Sequence, residues 1–284
     1  MSSATKHSVL PTWCATLLAA SLLASSASIS HAAPLLRVCA DPNNLPYSNQ
    51  QLQGFENRMA EMIAGDLGMK LTYVWYPQRS AFFRKTLDSG ACDVVMGVPA
   101  GMDEAIATHP YYFSSYAFLT RRDRHLQIAS FDDPRLHTLR IGVHILGEQE
   151  DSLPPVHALI SRGIVRNLVG YSIFGNLSEQ NPAADLIQAV VRKDVDVAVV
   201  WGPLAGYFAH ESKVPLEITP IAADPDHPAL PMIFGIGIGV RPADLGLRRQ
   251  LDAEVQRRRP QIRQLLASYG IPQVSPPSVE QRGN

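Results

Sequence analysis

The stretch Gly90-Ala91-Cys92-Asp93-Val94-Val95-Met96-Gly97-Val98-Pro99-Ala100-Gly101 decides the fold. Gly90 is a helix stop, a short apolar run follows, and the run ends in a loop bearing Pro99 and Gly101. A continuous hydrophobic run bounded by turn residues reads as a strand buried on both faces. In open α/β sheets the loop at the carboxyl end of such a strand is where ligands sit. The pattern returns at Val195-Asp196-Val197-Ala198-Val199-Val200-Trp201-Gly202-Pro203, which sets Asp93 and Asp196 103 residues apart. Leu36-Arg37-Val38 and Leu139-Arg140-Ile141 stand at the same interval. The chain therefore reads as two similar α/β lobes facing each other.

Outward from these strands, Leu35 to Ala40 is predicted as strand one, followed by the turn-rich loop Asp41-Pro42-Asn43-Asn44-Leu45-Pro46-Tyr47-Ser48. Phe55, Met59, Met62, Ile63 and Leu67 recur at helical spacing, and Gly68 stops that helix. Met69 to Trp75 alternates as strand two, and a short helix over Phe83 to Leu87 leads back to Gly90. Tyr116 to Leu119 carries the chain out of the first lobe. The second lobe repeats the plan, with strands at Leu139 to Val143, Leu168 to Tyr171 and Val195 to Trp201. Its helices lie near Val156 to Ile160 and, opened by Asn181 and Pro182, through Val190. Leu216 to Ile221 is the expected return crossing, Met232 to Val240 a strand with small residues for a close neighbour, and Leu245 to Tyr269 a last helix. The domains expected are a signal peptide over 1–32, lobe one over 33–120 plus 224–274, lobe two over 121–223, and a loose tail over 275–284.

The bulk properties agree with an exported globular protein. The chain has 284 residues, 46% of them hydrophobic and 18% charged, with a net charge of −1, so no basic footprint for nucleic acid exists. Lys6, the apolar stretch Ala15 to Ile29 and the small residues around Ser30-His31-Ala32 form an export signal cleaved near Ala32. That stretch is short and broken by serines, unlike a membrane anchor, and Cys14 precedes it, the wrong place for a lipid-bearing cysteine. Cys39 and Cys92 remain, in an oxidising compartment. With strand order 2-1-3 they lie on neighbouring strands, where either a disulfide or two buried thiols fits. The histidines are scattered, no pair has zinc-helix spacing, and no metal or other cofactor is expected. Arg257-Arg258-Arg259 reads as a solvated helix face.

An α/β chain opening Leu36-Arg37-Val38-Cys39-Ala40-Asp41-Pro42, with Gly54-Phe55-Glu56 at a helix start, resembles the family 3 extracellular solute-binding proteins. That resemblance implies a periplasmic binding protein-like type II fold, two βαβ lobes joined by a two-segment hinge around a cleft. The stretches Val38 to Asn49 and Cys92 to Gly101, with Pro110-Tyr111-Tyr112 following, are similar to the quinoprotein dehydrogenase-associated members of the MoxJ/XoxJ type. The implied role is support or activation of a periplasmic PQQ-dependent alcohol or methanol dehydrogenase. The alternative is a binding component that delivers a small non-amino-acid solute to an ABC transporter.

Amino-acid receptors of this family grip a zwitterion, and its three holders are missing here. A carboxylate-binding Arg is expected after the third-strand loop, where this chain has Gly101-Met102-Asp103-Glu104-Ala105-Ile106. A Ser or Thr at a helix N-terminus is expected early in lobe two, where Gly147-Glu148-Gln149-Glu150-Asp151 stands. An amine-binding Asp is expected after the last strand of lobe two, where Trp201-Gly202-Pro203 stands. The expected cleft residues are Asp41, Asn44, Tyr47, Arg79, Gly97, Val98, Tyr111 and Trp201. Asp41 and the asparagines equally suit a role within their own turn, and Trp201 suits either a cleft wall or the hinge. Some proteins similar to these binders are dehydratases, but here only Glu56, Asp41 and Glu104 are acids near the cleft, and no cation is placed for a substrate carboxylate. No catalytic residue and no enzymatic activity are expected.

Overall fold

The computed structural model describes residues 1–5, 33–145, 153–174, 181–224 and 226–276. Met1–Ala32 forms one unit and Ala33–Asn284 another; the fold lies in the second. The expected signal segment from residue 6 and the end of the tail from 277 lie outside the described residues.

The chain opens with β1 (Leu35–Ala40), a small ribbon of β2 (Asn43–Asn44) and β3 (Ser48–Asn49), and α1 (Phe55–Asp66). Then come β4 (Lys70–Trp75), α2 (Phe82–Lys85), β5 (Val94–Pro99), β6 (Ile106–Ala107) and β7 (Tyr112–Arg121). The second run is β8 (Ile141–Ile145), α3 (Pro154–Ser161), β9 (Leu168–Ser172), α4 (Asp185–Arg192), β10 (Val197–Trp201) and α5 (Gly202–His210). It closes with β11 (Leu216–Pro220), β12 (Ile233–Val240) and α6 (Leu245–Ser268). Most strands join one mixed sheet of order β4-β1-β5-β12-β7-β10-β8-β9. Each end of it is a parallel βαβ unit with its first strand in the middle, the 2-1-3 order expected from the two apolar runs.

The 103-residue repeat is visible in atomic detail. Val38 pairs with Val94 and Cys39 with Val95; Ile141 pairs with Val197 and Gly142 with Ala198. The two halves thus share one register. At the start of each pairing the Arg37 N–H donates to Asp93 Oδ2 at 3.0 Å, and the Arg140 N–H to Asp196 Oδ2 at 2.9 Å. The aspartate amides return the bond to Arg37 O at 2.8 Å and Arg140 O at 2.9 Å. An aspartate one residue ahead of a buried strand caps the sheet end, satisfying backbone donors that would otherwise be lost. In the first half Arg37 also clamps Asp93 through both Nε and Nη2. Burial opposes ionisation of Asp93, but these bonds outweigh it and hold its pKa below the usual range.

Several helices follow directly from the pattern of apolar residues. α1 buries Phe55, Met59, Ala60 and Ile63 against β1 and β5 and against Leu251, Val255, Ile262 and Leu266 of α6. Gly54 before it admits no side chain, since a Cβ would lie 1.9 Å from Tyr47 O. Asn57 Oδ1 accepts from the Gly54 and Asn49 amides, so the helix start and the ribbon are tied to one side chain. Cys39 and Cys92 form a disulfide with a Cα–Cα distance of 5.6 Å, resolving the choice left by the sequence.

Two elements differ from expectation. The short helix begins at Phe82 and ends at Lys85, because Thr86 Oγ1 donates to Phe82 O and the chain turns there. Leu216–Pro220 is an antiparallel partner of Ala117–Arg121, and the chain regains the first half only where Ile233–Ile236 pairs with Tyr112–Ser115. The ten-residue β7 is long enough to flank both, a length that the apolar run Tyr116 to Leu119 alone understated.

Candidate functional site

A cavity of about 540 Å³ opens at the carboxyl ends of the central strands. Its floor is three aromatic rings brought together by register. Trp201 of β10 lies opposite Tyr116 of β7, and Phe234 of β12 stands alongside. Their centroids are 5.3 Å apart for Tyr116–Trp201 and 5.7 Å for Trp201–Phe234, both edge-on, a favoured ring geometry. Phe82 and Phe83 of α2, Met96 of β5 and Met102 add apolar wall from the first half, and Leu153, Ile173 and Leu204 from the second.

The polar groups are few, and most are already occupied. Asp41 accepts from the Asn43 amide at 2.8 Å and the Gln78 amide at 2.7 Å, and Asn44 donates to Gln78 Oε1 at 2.8 Å. Arg79 Nη2 donates to Phe174 O at 3.3 Å, and the Asn181 amide to Asn43 Oδ1 at 3.2 Å. These last two bonds join the two sides of the cavity at its rim. Burial pushes the Tyr47 phenol well up.

Besides tyrosines, an acid and a histidine are buried in the wall. Glu56, in the first turn of α1, is 6% exposed. Its Oε1 accepts a long bond of 3.5 Å from the Tyr111 hydroxyl, and among the described residues no basic group touches it. Burial, only partly opposed by that bond, raises its pKa to about 8. Gly97 faces it with φ +73°, and a Cβ there would sit 2.3 Å from Glu56 Oε1, so only glycine allows the carboxyl its place. His144, at the end of β8, is 3% exposed, with its Nε2 3.2 Å from Ala183 O. Burial lowers its pKa to about 4, so the imidazole is neutral at pH 7.

Seven of the expected cleft residues line this cavity: Asp41, Asn44, Tyr47, Arg79, Gly97, Val98 and Trp201. Tyr111 does not. It stands behind Glu56, and its neighbour Tyr112 takes the wall position. Tyr111 lies just before β7 and Tyr112 is its first residue, so the two side chains go different ways, and the sequence gives no sign of which. His144 was missed, although it lies 103 residues after Asp41, just as Trp201 lies 103 after Val98. The repeat, carried through to the loop ends, is the signal that finds it. Phe83, Tyr116 and Phe234 enter the sequence reading only as parts of a helix or a strand, and Phe82 does not enter it.

The description "Bacterial extracellular solute-binding proteins, family 3" matches residues 36–269. The chain belongs to that family. It is 30% identical over 252 residues to Protein MoxJ of Methylorubrum extorquens, an alignment covering 84% of this chain and 81% of that protein. Protein MoxJ of Paracoccus denitrificans is 27% identical over 261 residues, covering 88% and 95%. Among solved structures, the periplasmic binding protein XoxJ from Methylobacterium extorquens AM1 is 30% identical, with a TM-score of 0.69 over 85% of this chain and 100% of that one. Family 3 membership places the protein outside the cytoplasmic membrane. Among the described residues no helix is long and apolar enough to cross one.

Against a family 3 amino-acid receptor, the ligand-gripping positions carry different chemistry. Where a carboxylate-binding Arg is expected, Met102 faces the cavity. Where an amine-binding Asp is expected, Gly202 and Pro203 begin α5, and Gly202 packs so close that a Cβ would lie 2.6 Å from Ser115 O. The third position, Gly147 to Asp151, lies outside the described residues.

Proposed function

We propose that this chain is an exported periplasmic accessory protein of a PQQ-dependent alcohol dehydrogenase system, methanol being the substrate class that the resemblance implies. It assists maturation or activity of that enzyme by binding and performs no chemistry of its own. Residues 1–32 direct export and are removed near Ala32. The observation that carries this reading is similarity to the MoxJ and XoxJ proteins over more than four-fifths of the chain, joined to a cleft that, among the described residues, lacks the arginine and aspartate with which an amino-acid receptor of the family grips its ligand. Asp41, Asn44, Tyr47, Arg79, Gly97, Val98 and Trp201 are its cleft residues, and Tyr111 acts from behind by holding Glu56.

Deleting the gene and purifying the dehydrogenase from the same cells tests the role. The expected result is dehydrogenase with reduced PQQ content or reduced specific activity, restored by supplying this chain. Enzyme of normal content and activity, with loss of growth on a small solute instead, would move the function to transport.

A further inference from the structure

The charge pattern of the cavity says what it admits. A buried carboxyl with no cation beside it among the described residues, a neutral imidazole and a floor of three rings form an environment hostile to an anion. Placing an unpaired charge there costs far more than the apolar contacts return. Arg79 sits at the rim with its guanidinium directed to Phe174 O, and Asp41 is held by two backbone amides. We propose that the cavity takes an uncharged molecule with a flat apolar body, stacked among Trp201, Tyr116 and Phe234, whose one polar group meets Glu56. The volume of about 540 Å³ suits a body of two or three fused or linked rings.

Glu56 is suited to that single contact. Gly97 leaves its carboxyl uncovered, Tyr111 fixes one oxygen from behind, and the other oxygen has no donor among the described residues. A protonated carboxyl both donates and accepts, so it serves an alcohol, an amine N–H, an ether or a carbonyl. The groups facing it are Tyr47, Tyr73, Tyr111 and Tyr112, all with phenols raised by burial, so the carboxyl is the group that changes charge between pH 7 and 9.5. His144 across the cavity stays neutral throughout that range.

This proposal rests on the reading of the cleft as a binding site, and its test contains no dehydrogenase, so the two fail separately. The probes are N-phenyl-1-naphthylamine and 8-anilinonaphthalene-1-sulfonate, which share a ring skeleton and differ by one sulfonate. With the mature chain at pH 7 the uncharged probe is expected to bind one-to-one, about tenfold more tightly than the sulfonate. Its affinity should fall by about threefold or more between pH 7 and 9.5 as Glu56 ionises. In Glu56→Gln that pH dependence should vanish. A Trp75→Phe variant leaves Trp201 as the tryptophan of the mature chain, and energy transfer from it to the probe reports location without disturbing the cavity. Equal or tighter sulfonate binding, an unchanged pH profile in Glu56→Gln, or absent transfer from Trp201 would overturn the proposal.

Discussion

The two halves of the sheet use one register and one aspartate cap, yet they are fastened by different means. In the first half Cys39 and Cys92 are bonded across neighbouring strands. The matching positions of the second half, 103 residues on, are Gly142 and Val195, and they pack directly: a Cβ on Gly142 would lie 3.2 Å from Val195 Cγ2 and 2.4 Å from Leu186 Cδ1. The second half relies instead on Arg162, which bonds both oxygens of Asp224 at 2.9 Å and also reaches Asp132 and Asp226. The Asp224 side chain is fully buried, so this cluster binds the loops around the half as the disulfide binds the strands. A repeated backbone plan therefore fixes where strands and caps go and leaves the fastening of each copy free to differ.

The strongest way to break this comparison is to remove each fastener. Arg162→Ala leaves Asp224 buried without its cation and is expected to cost about 3–5 kcal/mol. Cys39→Ser with Cys92→Ser should cost about 2–4 kcal/mol. Urea unfolding followed by circular dichroism reads both. Equal and small losses, below about 1 kcal/mol, would show that neither fastener holds its half.

A sharper probe is Gly142→Ala, which pushes a methyl into Leu186 and should cost about 1–3 kcal/mol by overpacking. Ala at Gly163, where nothing lies within 4 Å but φ is +74°, separates backbone strain from crowding. Thermal melts of the two variants, with a larger loss for Gly142→Ala, would support crowding as the reason no disulfide stands in the second half.

The halves should also oppose each other in pH dependence. Glu56 has a folded pKa raised to about 8, so the folded state holds a proton that the unfolded chain releases above about 4.5. Its contribution falls as pH rises through that window, at no more than about 1.4 kcal/mol per unit. His144 has a folded pKa lowered to about 4, so the unfolded chain takes up a proton first, and its contribution falls as pH drops from about 6.5 to 4. Urea midpoints across pH 4 to 9 should lose the fall between about pH 4.5 and 8 in Glu56→Gln and the rise between about pH 4 and 6.5 in His144→Gln. Matching slopes in both variants would remove the contrast.

Much of this was readable in the sequence because the halves repeat. The runs after Gly90 and Asp194, with Asp93 and Asp196 one residue ahead of each strand, carry the strand order and three cavity residues, Gly97, Val98 and Trp201; Asp41, Asn44, Tyr47 and Arg79 come from the loops after the first two strands. What was not readable depends on which way a side chain turns. Tyr111 and Tyr112 are chemically alike, and only the folded chain at the start of β7 sends the second to the cavity. Phe82, Tyr116 and Phe234 look like core because a cavity floor of rings is core until the fold leaves space above it. Glu56 as a neutral acid follows from its burial at a place where Gly97 leaves it room, a contact between residues 41 positions apart that the sequence does not show.

The most direct test of the accessory role is sedimentation velocity of the mature chain mixed with the quinoprotein dehydrogenase of the same source, prepared with and without PQQ. A complex with the PQQ-free enzyme, weakened when PQQ is bound, is the expected result. No complex with either form at concentrations of tens of micromolar would contradict stable docking and return the cleft to a transport receptor.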